Sequence, residues 1–298
     1  MAYSAGSTIL DDDYNGFAGD VNSTWGTGSG DEGYGQTNTI STVSAGTTIT
    51  ATQWTTLLAR ITSAASHQGT TITSITNPVA GNTIEAYAAL SSNITAVTGT
   101  NRLNATAVGS ASTTNTDRTT SWGTSCTFTQ TVAFSSQNAA RYFFNAGGRI
   151  TLSTSRSGGT ANDANTAVTD LCTAYGTLNF TAGTGTQTIA GGSYTGTTKT
   201  GGSGSPTIVT GTGFYDLTGT LAQVCTQSSS SYYGYNSNSI TTSLSSNGAG
   251  TVTVSTVHTT AATIDGTLRC TIGVVPPSTT YLSATWGTPT LGGSQSGS

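Results

Sequence analysis

The stretch TVTVSTVH, residues 251–258, decides the fold class of the larger part of this chain. Thr or Ser alternates with Val through most of it, and a period of two places the two kinds of side chain on opposite faces of a β-strand. Such a strand covers a core with one face and meets water with the other. The segment therefore predicts an antiparallel sheet with an outer face of hydroxyl groups.

Similar runs of β-branched and aromatic residues recur from about residue 104 onward, separated by Gly, Ser and Asn. This pattern is typical of short strands joined by turns. The further strands that it predicts are 127–134, 149–155, 177–181, 207–212, 219–226, 240–245 and 263–272. Two short helices are expected between them, at 136–145 and 163–174.

Before residue 104 the apolar residues recur at helical spacing in three places. The clearest helix follows Thr50 and Gln53, which form a capping box, and ends before Gly69. Its apolar stripe, at i, i+3, i+4, i+7 and i+11, consists of Trp54, Leu57, Leu58, Ile61 and Ala65.

The other two helical patterns have their own start and stop signals. One follows three aspartates, which suit the positive end of a helix, and ends at Gly26, which we expect in the left-handed conformation. The other begins with the capping pair Asn82 and Glu85 and ends at Gly99. The apolar positions of the first are Tyr14, Phe17, Val21 and Trp25, and those of the second are Ile84, Tyr87, Ala88, Ile94 and Val97.

These patterns predict an α+β fold with two regions. Residues 1–103 form a helical module whose stripes bury one another, and residues 104–298 form a mainly antiparallel β domain rich in Thr, Ser and Gly. A sandwich and an intertwined assembly have the same strand pattern, so both remain possible architectures for the β domain.

Charge is scarce and weakly acidic. The 298 residues include 12 acids and 8 bases, a net charge of −4, and the bases stand singly between Arg60 and Arg269. Binding of nucleic acid needs clustered basic residues, so we expect none. No apolar stretch approaches the ~20 residues of a membrane helix, and we expect no export signal. The four cysteines are expected as buried thiols; disulfides would allow three pairings.

Three patterns that resemble ligand sites are poorly formed. GSGDEG, residues 28–33, has the glycine spacing of a dinucleotide site but follows a helix instead of a strand. Asp11, Asp13, Asn15 and Gly16 reproduce the first half of a calcium loop, whose twelfth position is Asn22 and not an acid. We therefore expect no cofactor and no metal.

Hydrolytic chemistry has candidates without a motif. Paired carboxylates would come from Asp163, Asp170 and Asp216, and a triad from His67 or His258. Their spacing forms no known catalytic pattern, and His67 is expected as a cation offsetting the dipole at a helix end. We predict that the protein is not an enzyme.

A tyrosine-rich segment is the candidate receptor or subunit contact. Residues 228–239, SSSSYYGYNSNS, contain Tyr232, Tyr233 and Tyr235 among small polar residues. Such loops stack on sugar rings or act as adaptable contact surfaces. Local packing of these tyrosines is the alternative.

Exposed strand edges have almost no Lys or Glu to protect them. Uncharged edges pair readily with other strands, so we infer that they are covered in an assembly. A surface of Thr and Ser stays hydrated without charge and provides neutral hydrogen bonds at close contacts, which suits a homo-oligomer.

Three segments resemble virion structural proteins of tailed bacteriophages, especially phages of marine bacteria and cyanobacteria. They are WGTGSGDEGYGQ (25–36), VSAGTTITATQWTTLLARITSAASHQG (43–69) and ARYFFNAGGRI (140–150). In the last, we expect Arg141, Tyr142, Phe143 and Phe144 to pack a helical turn on the sheet, and Gly147 and Gly148 to reverse the chain into a strand.

The resemblance implies a virion component and not an enzyme. The resemblance does not give a position in the particle, and our leading hypothesis is a self-associating tail fibre or appendage subunit that is located in the virion. Its expected partners are copies of itself, as a homotrimer, other virion proteins and a host surface glycan. A capsid decoration or neck protein is the alternative within the class, because the sequence has no sustained heptads. A cellular surface filament subunit is the alternative outside it.

Overall fold

The computed structural model describes residues 10–79, 87–229 and 234–297. These residues form five α-helices and 13 β-strands. The longest helices come first, and every pair of strands within the sheets is antiparallel. The chain has the α+β class that the sequence predicts.

The helices end close to the predicted positions. The five are α1 (Asp11–Trp25), α2 (Ala51–Gln68), α3 (Tyr87–Thr98), α4 (Gln137–Asn145) and α5 (Asp163–Tyr175). At α2 the capping box is present, because Thr50 Oγ1 accepts from the Gln53 amide at 3.2 Å and Gln53 Oε1 accepts from the Thr50 amide at 2.9 Å. Gly69 ends this helix with a φ of 72°.

Gly26 ends α1 for a different reason from the one expected. Its φ is −79°, so it is not left-handed. A Cβ atom there would lie 2.9 Å from Asn22 O and 3.1 Å from Thr39 Cγ2. Glycine suits this position because a Cβ atom would crowd the carbonyl oxygen of Asn22 and, less closely, the Thr39 methyl group, and the prediction of a left-handed cap was wrong.

The stripe predicted for α3 is partly wrong. Ile94 and Val97 are buried, but Ala88 is exposed and Leu90 takes a core position instead. Leu90, Ile94 and Val97 lie on one face of α3, because residues four and seven positions apart share a face of a helix. The capping pair Asn82 and Glu85, and Ile84, lie outside the described residues.

The strands form two large sheets and a hairpin. One sheet has the order β1-β12-β3-β4-β7, the other has the order β13-β2-β11-β10-β9-β8, and β5 pairs with β6. The strand bounds are β1 (Ser112–Arg118), β2 (Ser125–Ala133), β3 (Arg149–Ser157), β4 (Thr177–Phe180), β5 (Thr186–Ile189), β6 (Gly192–Thr195), β7 (Thr197–Thr200), β8 (Thr207–Ile208), β9 (Ala222–Ser228), β10 (Ser239–Ser246), β11 (Thr251–Thr259), β12 (Thr267–Val275) and β13 (Thr290–Gly297).

Every predicted strand has a counterpart, but five strands were not predicted. The run at 207–212 is a strand only at Thr207–Ile208. The strands β1, β5, β6, β7 and β13 were missed because they are rich in Thr, Ser or Gly and lack the alternating apolar residues that mark a half-buried strand.

The two large sheets pack face to face as a sandwich. Gln130 of β2 reaches across and donates to Cys270 O of β12 at 2.9 Å. The helix α5 lies between the sheets farther along, where it contacts β3, β9 and β10. There the Tyr175 hydroxyl lies 2.6 Å from Thr242 Oγ1 of β10. All four cysteines are free and buried.

The predicted helical and β regions share one hydrophobic core. It runs continuously from Tyr14 in α1 to Trp286 before β13. The side chains predicted for packing are at most 8% exposed: Trp54, Leu57, Leu58, Ile61, Tyr142, Phe143 and Phe144. The predicted boundary falls at a 3₁₀ helix, Thr100–Leu103, and Leu103 belongs to this core, so the boundary does not divide it.

Candidate functional site

The tyrosine-rich segment is described only in part. Tyr232 and Tyr233 lie outside the described residues. Tyr235 is partly buried against the core, and its carbonyl oxygen accepts from the Asn238 amide at 3.2 Å. A receptor or subunit contact at these tyrosines stays a prediction.

The carboxylates considered for catalysis are divided between α5 and a short 3₁₀ helix. Asp163 begins α5 and Asp170 lies two turns later in the same helix. Asp216 belongs to a short 3₁₀ helix, Phe214–Asp216, where its Oδ2 accepts from the Gly213 amide at 2.9 Å. Asp216 thus has a structural partner, in the manner of a capping residue.

Both histidines are buried and neutral near pH 7. His67 Nε2 lies 3.1 Å from Ala146 O, so it carries the proton of the neutral ring, and burial lowers the pKa of His67 to about 4. Burial lowers the pKa of His258 to about 3. The expectation of a cationic His67 at the end of α2 was wrong, because burial removes the water that would stabilise the charge.

Both histidines lie among aromatic side chains. The ring of His67 packs against Tyr34, and that of His258 packs against Trp122 and Phe128. Neither ring nitrogen of His258 has a hydrogen-bond partner in the described part of the chain.

The half-formed calcium loop is helical. Asp11, Asp13, Asn15 and Gly16 all lie in α1, where a wrapped loop cannot form. Asn15 instead donates to Val43 O at 2.9 Å and accepts from the Val43 amide at 2.8 Å. Within residues 10–79, 87–229 and 234–297, no group of three or more His, Cys, Asp or Glu side chains could hold a metal ion.

The basic side chains are used inside the molecule. Seven of the 8 Lys and Arg side chains donate hydrogen bonds, six of them to backbone carbonyl oxygens and Arg269 to Asp117. The eighth, Arg149, lies over the Tyr194 ring at 4.9 Å. These cations hold chain segments together and do not form a basic face. None of the helices in the described ranges is long and apolar enough to cross a membrane.

The loop after α1 is bound to α4 by side chains of α4. Arg141 donates to Gly30 O at 2.9 Å and to Glu32 O at 3.1 Å. Asn145 donates to Glu32 O at 2.9 Å and to Gly33 O at 3.0 Å. These four hydrogen bonds fix the path of the loop, because its carbonyl oxygens would otherwise need water molecules as donors.

The end of α2 makes hydrogen bonds to the same loop and to the end of α4. Gln68 Nε2 donates to the Tyr34 hydroxyl at 2.8 Å, and the Tyr34 hydroxyl donates to Arg102 O. His67 donates to Ala146 O at the end of α4. We call this meeting of the 26–36 loop, the end of α2 and α4 the helical junction.

The two glycines after α4 are required by the chain reversal at the end of that helix. Gly147 has a φ of 83°, which favours glycine, and at Gly148 a Cβ atom would lie 2.6 Å from the Phe143 ring. The chain reverses here and enters β3 at Arg149, as predicted. Phe143 is fully buried and its ring centroid lies 5.0 Å from that of Phe134.

The outer face of the six-stranded sheet is a neutral array of hydroxyl groups. The cross-strand register places Ser294, Thr129, Ser255 and Ser243 in one row across β13, β2, β11 and β10. None of the six strands contains Asp, Glu, Lys or Arg. The sequence pattern of β11 predicted this kind of face, but its extent follows from the register.

Comparison with protein-family models, curated proteins and solved structures finds no match for this chain.

Proposed function

We propose that this protein is a self-associating structural subunit of a tailed-phage virion, located in a tail fibre or a related appendage. In this role it has no catalytic activity. Its partners are copies of itself and other virion proteins, and the tyrosine-rich segment is where a host surface glycan would bind.

The helical junction is the observation that carries this proposal. The three segments that resemble phage virion proteins, 25–36, 43–69 and 140–150, supply its loop, the end of α2 and α4. Residues that are more than a hundred positions apart in sequence thus form a single packed unit. A resemblance concentrated in one such unit supports a shared architecture, since composition alone would not select segments that touch.

The surface chemistry gives independent support. A virion subunit packs against equal copies over flat, hydrated faces, and hydroxyl groups both donate and accept at such contacts. A sheet whose six strands carry no charged side chain fits this role, because no like charges oppose one another on close approach.

A capsid decoration or neck subunit is the second candidate. It is favoured by the helices in the described residues, of which α2 with 18 residues is the longest. At 1.5 Å per residue such a helix spans roughly 27 Å, too short for a fibre shaft. The helices also pack on the sandwich and do not extend from it.

Immunogold electron microscopy tests the proposal. An antiserum raised against the purified chain should label intact particles of the phage that encodes it, along the tail or its appendages. Labelling of the head surface or neck would support the second candidate. Intact particles that remain unlabelled, while the same antiserum detects the chain in cell envelopes, would overturn the proposal in favour of a cellular surface filament. Antiserum absorbed with the purified chain is the control.

A further inference from the structure

The strand β13 forms one edge of the six-stranded sheet and is paired on one side only. All eight of its residues pair with β2, from Thr290 opposite Ala133 to Gly297 opposite Cys126. Within the described residues no other strand pairs with it. Most of its residues are exposed. Its second side therefore presents backbone groups without a strand partner.

The register identifies those backbone groups. The amide of Phe134 bonds Gly250 O, and the amide of Thr260 bonds Thr124 O, at the two ends of the β2–β11 ladder. Even-numbered residues of β2 therefore bond to β11, and odd-numbered residues bond to even-numbered residues of β13. Consequently Leu291, Gly293 and Gln295 direct their N–H and C=O groups to the free side.

This edge lacks the usual protection against pairing. Natural sheets guard their edges with lysines, prolines, bulges or short strands. The sequence TLGGSQSG has neither charge nor proline, and its pairing with β2 runs without a register shift. The opposite edge strand of the sheet, β8, has only two residues.

The neighbouring layer supports the edge strand without covering its free side. Gly293 lies so close to β1 that a Cβ atom would be 2.1 Å from Thr116 Oγ1. Next to it, Arg118 of β1 donates to Gln295 Oε1 at 2.9 Å. These contacts fix β13 from the inner face of the sandwich, so its edge is held in an extended shape that suits a partner strand.

We infer that β13 pairs with β13 of a second copy of this chain, antiparallel and about a two-fold axis at Gly293. In this register Leu291 of each copy lies opposite Gln295 of the other and Gly293 lies opposite Gly293, so the outward N–H and C=O groups of these three residues are all matched. The β8 edge is too short to receive β13, which excludes an equally long head-to-tail contact between the two edges of this sheet. The six-stranded sheets of two copies become one continuous sheet.

This inference rests on the proposed self-association and makes it specific. A two-fold contact gives a dimer, whereas the sequence led us to expect a trimer. The mass in solution separates the two arrangements, because one gives twice and the other three times the mass of a single chain.

The matched variants Gln295→Pro and Gln295→Ala test the contact. Both lose the bond to Arg118, but only proline removes the outward N–H and adds bulk at the edge. We expect the full-length protein and Gln295→Ala to be dimers by light scattering, and Gln295→Pro to be a monomer. A dimeric Gln295→Pro would overturn the inference.

Hydrogen exchange provides a measurement that does not depend on a variant. In the dimer, the amides of Leu291, Gly293 and Gln295 should exchange at least about tenfold more slowly at high than at low protein concentration. Exchange that is independent of concentration would overturn the inference, even if Gln295→Pro fails to fold.

Ser243→Lys distinguishes the edge from the hydroxyl face. Ser243 belongs to the row of hydroxyl groups on the outer face of the six-stranded sheet, and its strand β10 is three strands away from β13. The edge contact predicts that this variant still dimerises, and its loss of association would assign the contact to the face instead. An oligomer that persists in Gln295→Pro would reject the edge contact but leave the proposed virion role intact. Particles that remain unlabelled in the immunogold experiment would reject the virion role, whatever mass the protein has in solution.

Discussion

At the scale of single residues, His258 is a buried polar group for which the described part of the chain supplies no hydrogen-bond partner. It lies on the inner side of β11, 1% exposed, between the rings of Trp122 and Phe128. A buried polar atom that has lost water and gained no hydrogen bond costs about 1–3 kcal/mol. His67 differs from it because its proton is donated to Ala146 O.

Both histidines should make the folded protein less stable in acid. Their folded pKa values, about 3 for His258 and about 4 for His67, lie below the ordinary value of 6.5. The unfolded chain therefore binds protons first as the pH falls below 6.5. Each histidine then removes about 1.4 kcal/mol of unfolding free energy per pH unit, down to its folded pKa. Urea denaturation between about pH 7 and pH 5 measures this loss.

The variant His258→Leu should reduce this pH dependence by about half and should not lower stability near pH 7, because leucine leaves no nitrogen unpaired. The control His67→Leu should reduce the pH dependence similarly but cost about 1–3 kcal/mol near pH 7, since Ala146 O loses its donor. An unchanged pH dependence in His258→Leu would contradict the pKa assignment.

At the scale of elements, asparagine side chains fasten extended segments to helices. Asn15 and Asn22 of α1 each donate to and accept from one backbone residue, Val43 and Ile40. Asn93 of α3 does the same with Thr73. A carboxamide that makes both bonds imitates a strand neighbour. This explains how long segments without helix or strand keep a fixed path in a protein with few charges.

Removal of one such carboxamide should be costly. We expect Asn22→Ala to lower the unfolding free energy by about 1–3 kcal/mol, although alanine is the better helix former, because the amide and carbonyl of Ile40 lose their partners. Urea denaturation measures the loss. Asp20→Ala is the control, since Asp20 is exposed on the same helix and should change stability by less than about 0.5 kcal/mol. Equal effects of the two would contradict the role of Asn22.

Phe143 is the central packing residue of α4. It contacts the rings of Phe134 and Phe144, with centroids 5.0 and 5.2 Å away, and it is fully buried. Phe143→Ala should cost about 3–5 kcal/mol and leave insoluble or monomeric material. Phe143→Leu, which keeps most of the volume, should cost less. A soluble Phe143→Ala variant with normal assembly and unfolding would contradict this role.

At the scale of the whole molecule, the described residues of the helical region, 10–79 and 87–103, contribute to the single core and are also bonded to the far end of the chain. Gln36 donates to Ser283 O at 3.0 Å and accepts from the Ser283 amide at 2.8 Å. Thr285 Oγ1 donates to Tyr34 O at 2.6 Å. The helical region therefore covers surface that the β region cannot cover by itself.

A fragment of residues 104–298 should consequently fail to fold cooperatively. Without the helical region, the face of α4 that carries Tyr142 is exposed, because Gly35 no longer packs on the Tyr142 ring. Ser283 and Ala146 also lose the hydrogen bonds that Gln36 and His67 make to them. Near-ultraviolet circular dichroism during thermal unfolding tests this, with the full-length chain, expected to unfold in one transition, as the control. A soluble fragment with a sharp transition would show that the β region folds independently.

The amino-acid sequence by itself determined the α+β class, the capping box and end of α2, the positions of α4 and α5, and most long strands. These follow from local periodicity and capping chemistry, which depend on residues only a few positions apart. Only the tertiary structure decided the rest. The loop of residues 26–36 meets Arg141 and Asn145, the neutrality of His67 and His258 comes from burial, and β13 becomes a strand because β2 supplies its hydrogen bonds. Each of these depends on groups brought together from distant positions in the chain, and local sequence patterns do not encode which distant groups will meet.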